Sequence, residues 1–208
     1  MSFNLAELSA CVKARGAVVR VLVQSTKGSV PRGVGAVMLV WQEGQSDTIG
    51  GGALEYKASE LARKMLVDAV QVLQLSEPLG PAIDQCCGGR VDLVLERFDL
   101  QNLPLDNSEI FARPIGENAA NIMPDKLRSD INMPVMFKGW MAEPLNQVQI
   151  PIWIFGAGHV GRALAIMLAP LPEFSVNLID SADNRMPVDF PENITPLINA
   201  SMTDLIKP

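Results

Sequence analysis

Apolar residues in the first half of the chain come in short β-type runs separated by glycine-rich turns, with two stretches that keep a helical period. "LAELSACVKARG" has helical spacing and stops at Gly16. "AVVRVLVQS" is β-branched and predicts a strand. "TKGSVPRGVG" reads as a turn, "AVMLVW" as a second buried strand, "QEGQSD" as a turn, and "TI" as the end of the next strand. After the glycines Gly50–Gly52, residues Leu54, Ala58, Leu61, Ala62, Met65 and Leu66 recur at steps of three and four, which predicts one face of a helix running to about Ala69. "VQVLQL" and "VDLVLERF" predict two more strands, with "CCGG" in the turn before the second.

From about Asp99 the pattern weakens. Pro and Asn accumulate, and the stretch reads as a long connection with room for one short helix, before "MPVMFKGWMAEPL" returns a strand to the first domain. "NQVQ" reads as a linker. A second unit then opens with the apolar run "IPIWIF", the turn "GAGHVG", the helix "RALAIMLAPL" and the strand "SVNLID" ending at Asp180. "NITPLIN" predicts a third strand, and "SMTDLI" a capped helix start. The fold class is therefore α/β, with one domain over residues 1–145 and a partial Rossmann-like βαβ unit over residues 150–208. The second unit reads as incomplete, because a full dinucleotide-binding domain needs two such halves. That leaves the apolar face of "ALAIMLAPL" and a sheet edge to be covered, and predicts self-association through residues after Ile150.

Composition narrows the function. The chain has 208 residues, 48% hydrophobic and 19% charged, which is the balance of a globular protein. A net charge of −6 argues against a nucleic-acid partner, which would need a basic face. The N-terminus carries early charges and no long apolar core, so neither a signal peptide nor a membrane anchor is expected. Three cysteines without a secretory signal point to free thiols and a cytoplasmic location.

Several stretches have the residue types for binding. Gly50, Gly51 and Gly52 stand between a strand and a helix, where backbone N–H groups and the helix dipole favour an anion. A turn chosen only for its dihedral angles would look the same. Arg32 could add a bidentate phosphate contact, or be a solvated loop residue. In "GAGHVG", Gly156 would make the tight turn, Gly158 would let a ligand approach the backbone, and Gly161 would let helix and strand pack closely. Asp180 stands where an acidic side chain bonds ribose hydroxyls. His159 is the sole histidine, which excludes a multi-histidine metal site; it would touch a ligand phosphate, cap the helix region, or do neither. Cys86 and Cys87 are adjacent, unlike a C-x-x-C dithiol or a zinc knuckle. Beside Gly88 and Gly89 they could present sulfur to a soft metal, or be buried structural thiols. Glu55 and Glu96 read as helix-start and strand-end carboxylates without paired-carboxylate geometry.

"GSVPRGVGAVMLV", "TIGGGALEYKA", "LGPAIDQCCGGRVDLVLE" and "IFGAGHVGRALA", in that order, resemble the XdhC/CoxI family, the accessory proteins of xanthine dehydrogenase. The resemblance implies a protein that binds the molybdenum cofactor (molybdopterin) and delivers its sulfurated form to a molybdenum hydroxylase such as xanthine dehydrogenase. It makes a cysteine desulfurase a candidate partner. It further implies that Cys86 or Cys87 lies near the molybdenum, and that the Gly50–Gly52 turn takes the pterin phosphate. Family members usually carry a complete Rossmann-like domain, so the resemblance also implies a shortened relative or a truncated form. The alternative is an NAD(P)-dependent oxidoreductase, with a nucleotide held at Gly156, Gly158, His159, Gly161 and Asp180. No acid–base set accompanies that motif, which favours an accessory protein over an enzyme. A third reading is a purely structural module that docks on the dehydrogenase.

Overall fold

The computed structural model describes residues 3–80, 88–104, 109–116, 118–128, 131–145, 150–171, 174–187, 189, 191 and 193–199. The chain divides into two compact units, Met1–Gln147 and Val148–Pro208. Together they make a mixed α/β fold.

The first unit opens with α1 (Leu5–Arg15). Asn4 caps it, accepting from Glu7 N at 3.1 Å and donating to Glu7 Oε2 at 2.9 Å. Gly16 ends it at φ +83°, where a side chain would be strained. Strands β1 (Val18–Lys27), β2 (Val37–Trp41) and β3 (Gly44–Asp47) follow, then α2 (Gly52–Asp68), β4 (Val72–Pro78) and β5 (Arg90–Phe98). The five strands form one antiparallel sheet in the order β3-β2-β1-β5-β4.

Alternation along the strands splits the core. Val19, Val21 and Val23 of β1, with Leu93 and Leu95 of β5, face α2 and meet Leu54, Ala58, Ala62 and Met65, all buried. Val18, Leu39 and Phe98 face the other way, against Phe3, Leu8 and Val12 from the α1 end of the chain. On that same side Leu22 and Val94 pack against Met141 of a second, three-stranded antiparallel sheet and against Ile115, which follows directly on one of its strands. Its strands are β6 (Ile110–Pro114), β7 (Val135–Phe137) and β8 (Trp140–Pro144), in the order β6-β8-β7.

A four-membered ionic network lies between these two sheets. Arg20 of β1 donates to both oxygens of Glu143 of β8, at 3.0 and 2.6 Å. Arg113 of β6 bridges Glu143 (2.5 Å) and Glu96 of β5 (Nε at 2.7 Å). Arg20 also lies over the Phe3 ring, 4.3 Å from its centroid. Two arginines and two glutamates thus balance in the interior, and no member is left without a partner.

Two expectations need correction. "QEGQSD" is mostly strand: the turn shrinks to Gln42–Glu43, and Gly44 opens β3 directly opposite Trp41. The Trp41 ring covers Gly44, where an added Cβ would lie 2.9 Å from Cζ2. The weakly patterned stretch after Asp99 holds β6, and "MPVMFKGWMAEPL" is a hairpin of two strands. Its two-residue loop, Lys138–Gly139, has both φ values positive (+50° and +77°), as a type I′ turn requires.

The second unit comprises β9 (Ile150–Phe155), α3 (His159–Leu168), β10 (Phe174–Asp180) and β11 (Ile194–Ile198). The strands are parallel, in the order β11-β10-β9. Ala165 and Ala169 from the helix end pack on Ile154, Val176 and Leu178. This is the strand–glycine turn–helix–strand unit expected from sequence, and β11 is the strand expected from "NITPLIN". The helix start expected in "SMTDLI" lies outside the described residues.

Candidate functional site

Antiparallel pairing gathers the sequence motifs. β1 runs antiparallel to β2 and β5, β3 to β2, and β4 to β5. The C-terminal ends of β1, β3 and β4 and the N-terminal ends of β2 and β5 therefore share one end of the sheet. The register confirms it, with Lys27 opposite Arg90, Arg90 opposite Pro78, and Met38 opposite Asp47. Three stretches meet there: residues 28–36 after β1, residues 48–51 before α2, and the described ends of the β4–β5 connection, residues 79–80 and 88–89.

Glycines set how closely these loops approach. Gly89 packs so tightly on the Lys27–Ser29 backbone that a Cβ would overlap the carbonyls of Lys27 and Ser29. A Cβ on Gly28 (φ +73°) would sit 3.3 Å from Gly89 Cα, and one on Gly50 (φ +125°) 2.5 Å from the Pro31 ring and 3.6 Å from Arg32 Cγ. Leu79 N donates to Gly89 O at 2.8 Å, closing the base of the β4–β5 loop. By contrast, a Cβ added at Gly33 or Gly88 would meet nothing within 4 Å, which leaves room there for a ligand to approach the backbone; the space beside Gly51 is likewise clear, but its N–H is bonded to Glu55. The structure thus brings Arg32, Gly50, Gly51, Gly52, Gly88 and Gly89 to one place, from three separate stretches. Cys86 and Cys87 lie outside the described residues, between the fixed ends Gly80 and Gly88. Cys11, the third cysteine, packs beside the α1 cluster, and burial pushes its thiol pKa up.

The glycine turn before α2 has an anion of its own. Glu55 Oε2 accepts from Gly51 N (3.0 Å), Ile49 N (3.3 Å) and Thr48 Oγ1 (2.5 Å), while Oε1 accepts from Gln45 Nε2 (2.9 Å). Gly50 N donates to Thr48 Oγ1 at 3.0 Å. A pterin phosphate at this turn would meet the Glu55 carboxylate where open N–H groups were expected. Glu55 is therefore more than a helix-start carboxylate; the signal was its place four residues after Gly51, within reach of the helix N-terminus.

A second polar cluster lies on three adjacent strands at the same end. Asp92 of β5 stands opposite Ser25 of β1 and Ser76 of β4. Ser25 Oγ donates to Asp92 Oδ2, and Ser76 Oγ to Oδ1 at 2.5 Å. These two hydroxyls hold the carboxyl below its ordinary range. Sequence reading passed over the cluster, because one polar residue per strand looks like ordinary solvent-side alternation.

In the second unit Gly156 turns at φ +103°, Gly158 caps α3, and Gly161 fits only as glycine, since a Cβ would run into the Gly156 carbonyl. Gly158 has open space. His159 is the first helical residue and exposed. Asp180, expected to reach ribose hydroxyls, instead gives its two oxygens to Ala157 N (2.8 Å) and Ala182 N (3.0 Å), with a side chain 1% exposed. Those backbone donors hold its carboxyl below the usual range. It acts here as a clasp between the end of β10 and the glycine turn.

Among the described residues no helix is long and apolar enough to cross a membrane, and no three His, Cys, Asp or Glu side chains gather as a metal site. No curated protein matches the chain. A solved structure described as a xanthine dehydrogenase from Bacillus halodurans is similar to it, with a TM-score of 0.65 and 18% identity; the likeness covers 94% of this chain and 68% of that one. At that identity the likeness is one of fold. Residues 11–75 match the XdhC and CoxI family, a span that includes the loop after β1 and the glycine turn before α2. Across those residues, then, the chain is similar to the XdhC and CoxI family.

Proposed function

We propose that this protein is an accessory protein of xanthine dehydrogenase or a related molybdenum hydroxylase, holding the molybdenum cofactor at the loop end of the first unit and handing it to the enzyme. The observation that supports this is the convergence of the glycine loops at one end of the sheet, with open space at Gly33, inside the matched span, and at Gly88. A flat pterin needs such an approach, and a Cβ at either glycine would fill it.

In this reading the backbone at Gly33 and Gly88 lines the cradle, and Arg32 at its rim supplies a positive charge for the phosphate. Glu55 keeps the turn before α2 rigid and sets the phosphate toward Arg32. Cys86 and Cys87, which lie outside the described residues, are the candidate thiols for the metal. When bound, the cofactor supplies the molybdenum–sulfur centre that the recipient enzyme uses. A cysteine desulfurase is the candidate source of that sulfur, and the cytoplasm the proposed location. The oxidoreductase alternative has less behind it, because Asp180 is spent on the backbone; the open space at Gly158 still suits a nucleotide phosphate.

The test is retention of molybdenum cofactor through gel filtration, with NAD run separately. The parent protein retains the cofactor, and the Cys86→Ala/Cys87→Ala double variant loses most of it while keeping its melting temperature. A double variant that retains the cofactor as well as the parent removes the thiols from the site. A parent that co-elutes with NAD and not with the cofactor overturns the proposal.

A further inference from the structure

The first sheet has two edges, and they are built differently. β3 is four residues long and ends at Asp47, whose φ of +59° turns the backbone out of the strand. A short, turned-away strand is one way that proteins keep an edge from pairing. β4, at the other edge, has seven residues and pairs with β5 over its whole length without a register shift. No lysine and no bulge interrupts it. Its single charge, Glu77, is buried and turned to Lys57 at 2.6 Å.

Backbone direction shows what this edge leaves unfilled. Gln71 O accepts from Arg97 N, and Leu79 N donates to Gly89 O, so both residues face β5. N–H and C=O groups alternate in direction along a strand, so Leu73, Leu75 and Glu77 also face β5, while Val72, Gln74 and Ser76 face outward. Among the described residues no hydrogen bond takes the N–H of Val72, Gln74 or Ser76. Three N–H groups at two-residue spacing, with their carbonyls, are one half of a β ladder. The flanks specify the other half. On the α2 side Leu73 and Leu75, with Leu61 and Leu66 of α2, are only partly buried. On the opposite side Gln74 and Ser76 are exposed. At the far end Pro78 stands opposite Arg90, and Arg90 opposite Lys27. Both cations are exposed, and neither is in an ion pair among the described residues. Strands lie about 4.8 Å apart, so an arginine reaches across one spacing to meet a carboxylate on a strand laid beyond β4.

We propose that the β4 edge is where the recipient molybdenum enzyme docks, by adding an extended segment of its own beside β4. That segment carries apolar residues on the α2 side, polar residues on the other, and an acidic residue at the end nearest Pro78. The inference rests on the accessory reading above, which requires such a partner, and adds the surface that the partner uses.

The experiment uses the full chain and two probes: purified xanthine dehydrogenase, and a fluorescent hexapeptide of alternating valine and threonine whose last threonine is replaced by glutamate. Ser76→Pro removes an outward N–H and sets its ring in the path of the added strand, at an edge position where proline is tolerated. It weakens binding of both probes by about tenfold or more, the scale of a lost hydrogen bond with a steric block. Ser76→Ala, which loses the hydroxyl and keeps the N–H, binds both as the parent does. Methylating the peptide amides at alternate positions, on the valines or on the threonines, abolishes binding in one case only, because one edge of the added strand faces β4. Melting temperatures confirm that each variant folds, and the methylated peptides test the parent chain alone. Equal binding of the two methylated peptides overturns the inference. So does protection of the Val72, Gln74 and Ser76 amides from hydrogen exchange that rises with protein concentration alone, since a second copy then fills the edge. If the parent retains molybdenum cofactor while Ser76→Pro binds the enzyme unchanged, this docking surface fails and the accessory function stands. A parent that binds neither cofactor nor enzyme removes the accessory function and this docking surface with it.

Discussion

Replacing Glu143 with Gln should cost the first unit about 3 kcal/mol, near the lower end of what removing one partner from a buried ion pair costs. The amide keeps the shape and one acceptor, so no cavity term enters. What changes is charge. Arg20, with a side chain 3% exposed, keeps no carboxylate, while Arg113 still has Glu96. The Phe3 ring over Arg20 offsets only part of this. For a unit of this size the loss corresponds to a drop of roughly 6–12 °C in melting temperature. The sign with pH follows from the folded state. Burial alone would raise the Glu143 pKa; Arg20, and then Arg113, reverse that and leave it below its ordinary 4.5. The parent's advantage is therefore full above the unfolded value and fades as pH falls through the lower, folded one. Urea denaturation at pH 7 and at a series of values below 4.5 measures both. A loss under about 1 kcal/mol at pH 7, the size of an exposed pair, would refute the argument. A loss that stays constant into acid would refute it as well.

Glu7 should behave oppositely. Burial, then a hydrogen bond and repulsion from Asp47, push its pKa up to about 7, so the folded state holds a proton that the unfolded chain releases near 4.5. The parent should lose stability between those values as pH rises, and Glu7→Gln should flatten that part of the melting profile; an unchanged profile removes the Glu7–Asp47 pair as its cause. Gly161→Ala should disrupt the turn of the second unit, because the methyl overlaps the Gly156 carbonyl, and limited proteolysis should show faster cleavage after residue 150; equal cleavage rates would mean the turn can yield. Trp153, Phe155, Val160 and Met167 are exposed on the second unit, so light scattering should give a dimer for the whole chain and a monomer for a chain ending at Gln149. A monomeric whole chain at micromolar concentration refutes self-association, and a dimer that survives the deletion moves the interface to the first unit.

Periodicity carried the strongly patterned elements. The α2 stripe and the apolar runs of β1, β5, β9 and β10 show in the sequence because each buries one unbroken face. β6 was hidden, since Ile110, Phe111, Ala112 and Arg113 do not alternate: Arg113 points inward, paired with Glu96 and Glu143. An inward arginine breaks the pattern that strand reading depends on, and its two carboxylates come from strands far away in the chain. The site was half legible. Glycines mark turns in the sequence, but that Gly50, Gly88 and Gly89 gather at one end of the sheet follows only from the strand pairing. The roles of Glu55, Asp92 and Asp180 were not legible, because each depends on which N–H or hydroxyl faces it after folding. Sequence shows the carboxylate and not the donor.

The glutamate resting on the glycine turn has a consequence for life among cellular anions. A carboxylate tethered four residues from the N–H it binds cannot diffuse away, and a short tether holds a group at an effective concentration in the millimolar range or above. Free phosphate and sulfate compete on poor terms with such an occupant. The turn is thereby kept clear of the commonest anions in solution, and only a molecule that gains contacts from several loops at once can displace or bypass the resident group. A self-filled turn acts as a filter, admitting ligands by the breadth of their contact and turning away those that bring charge alone.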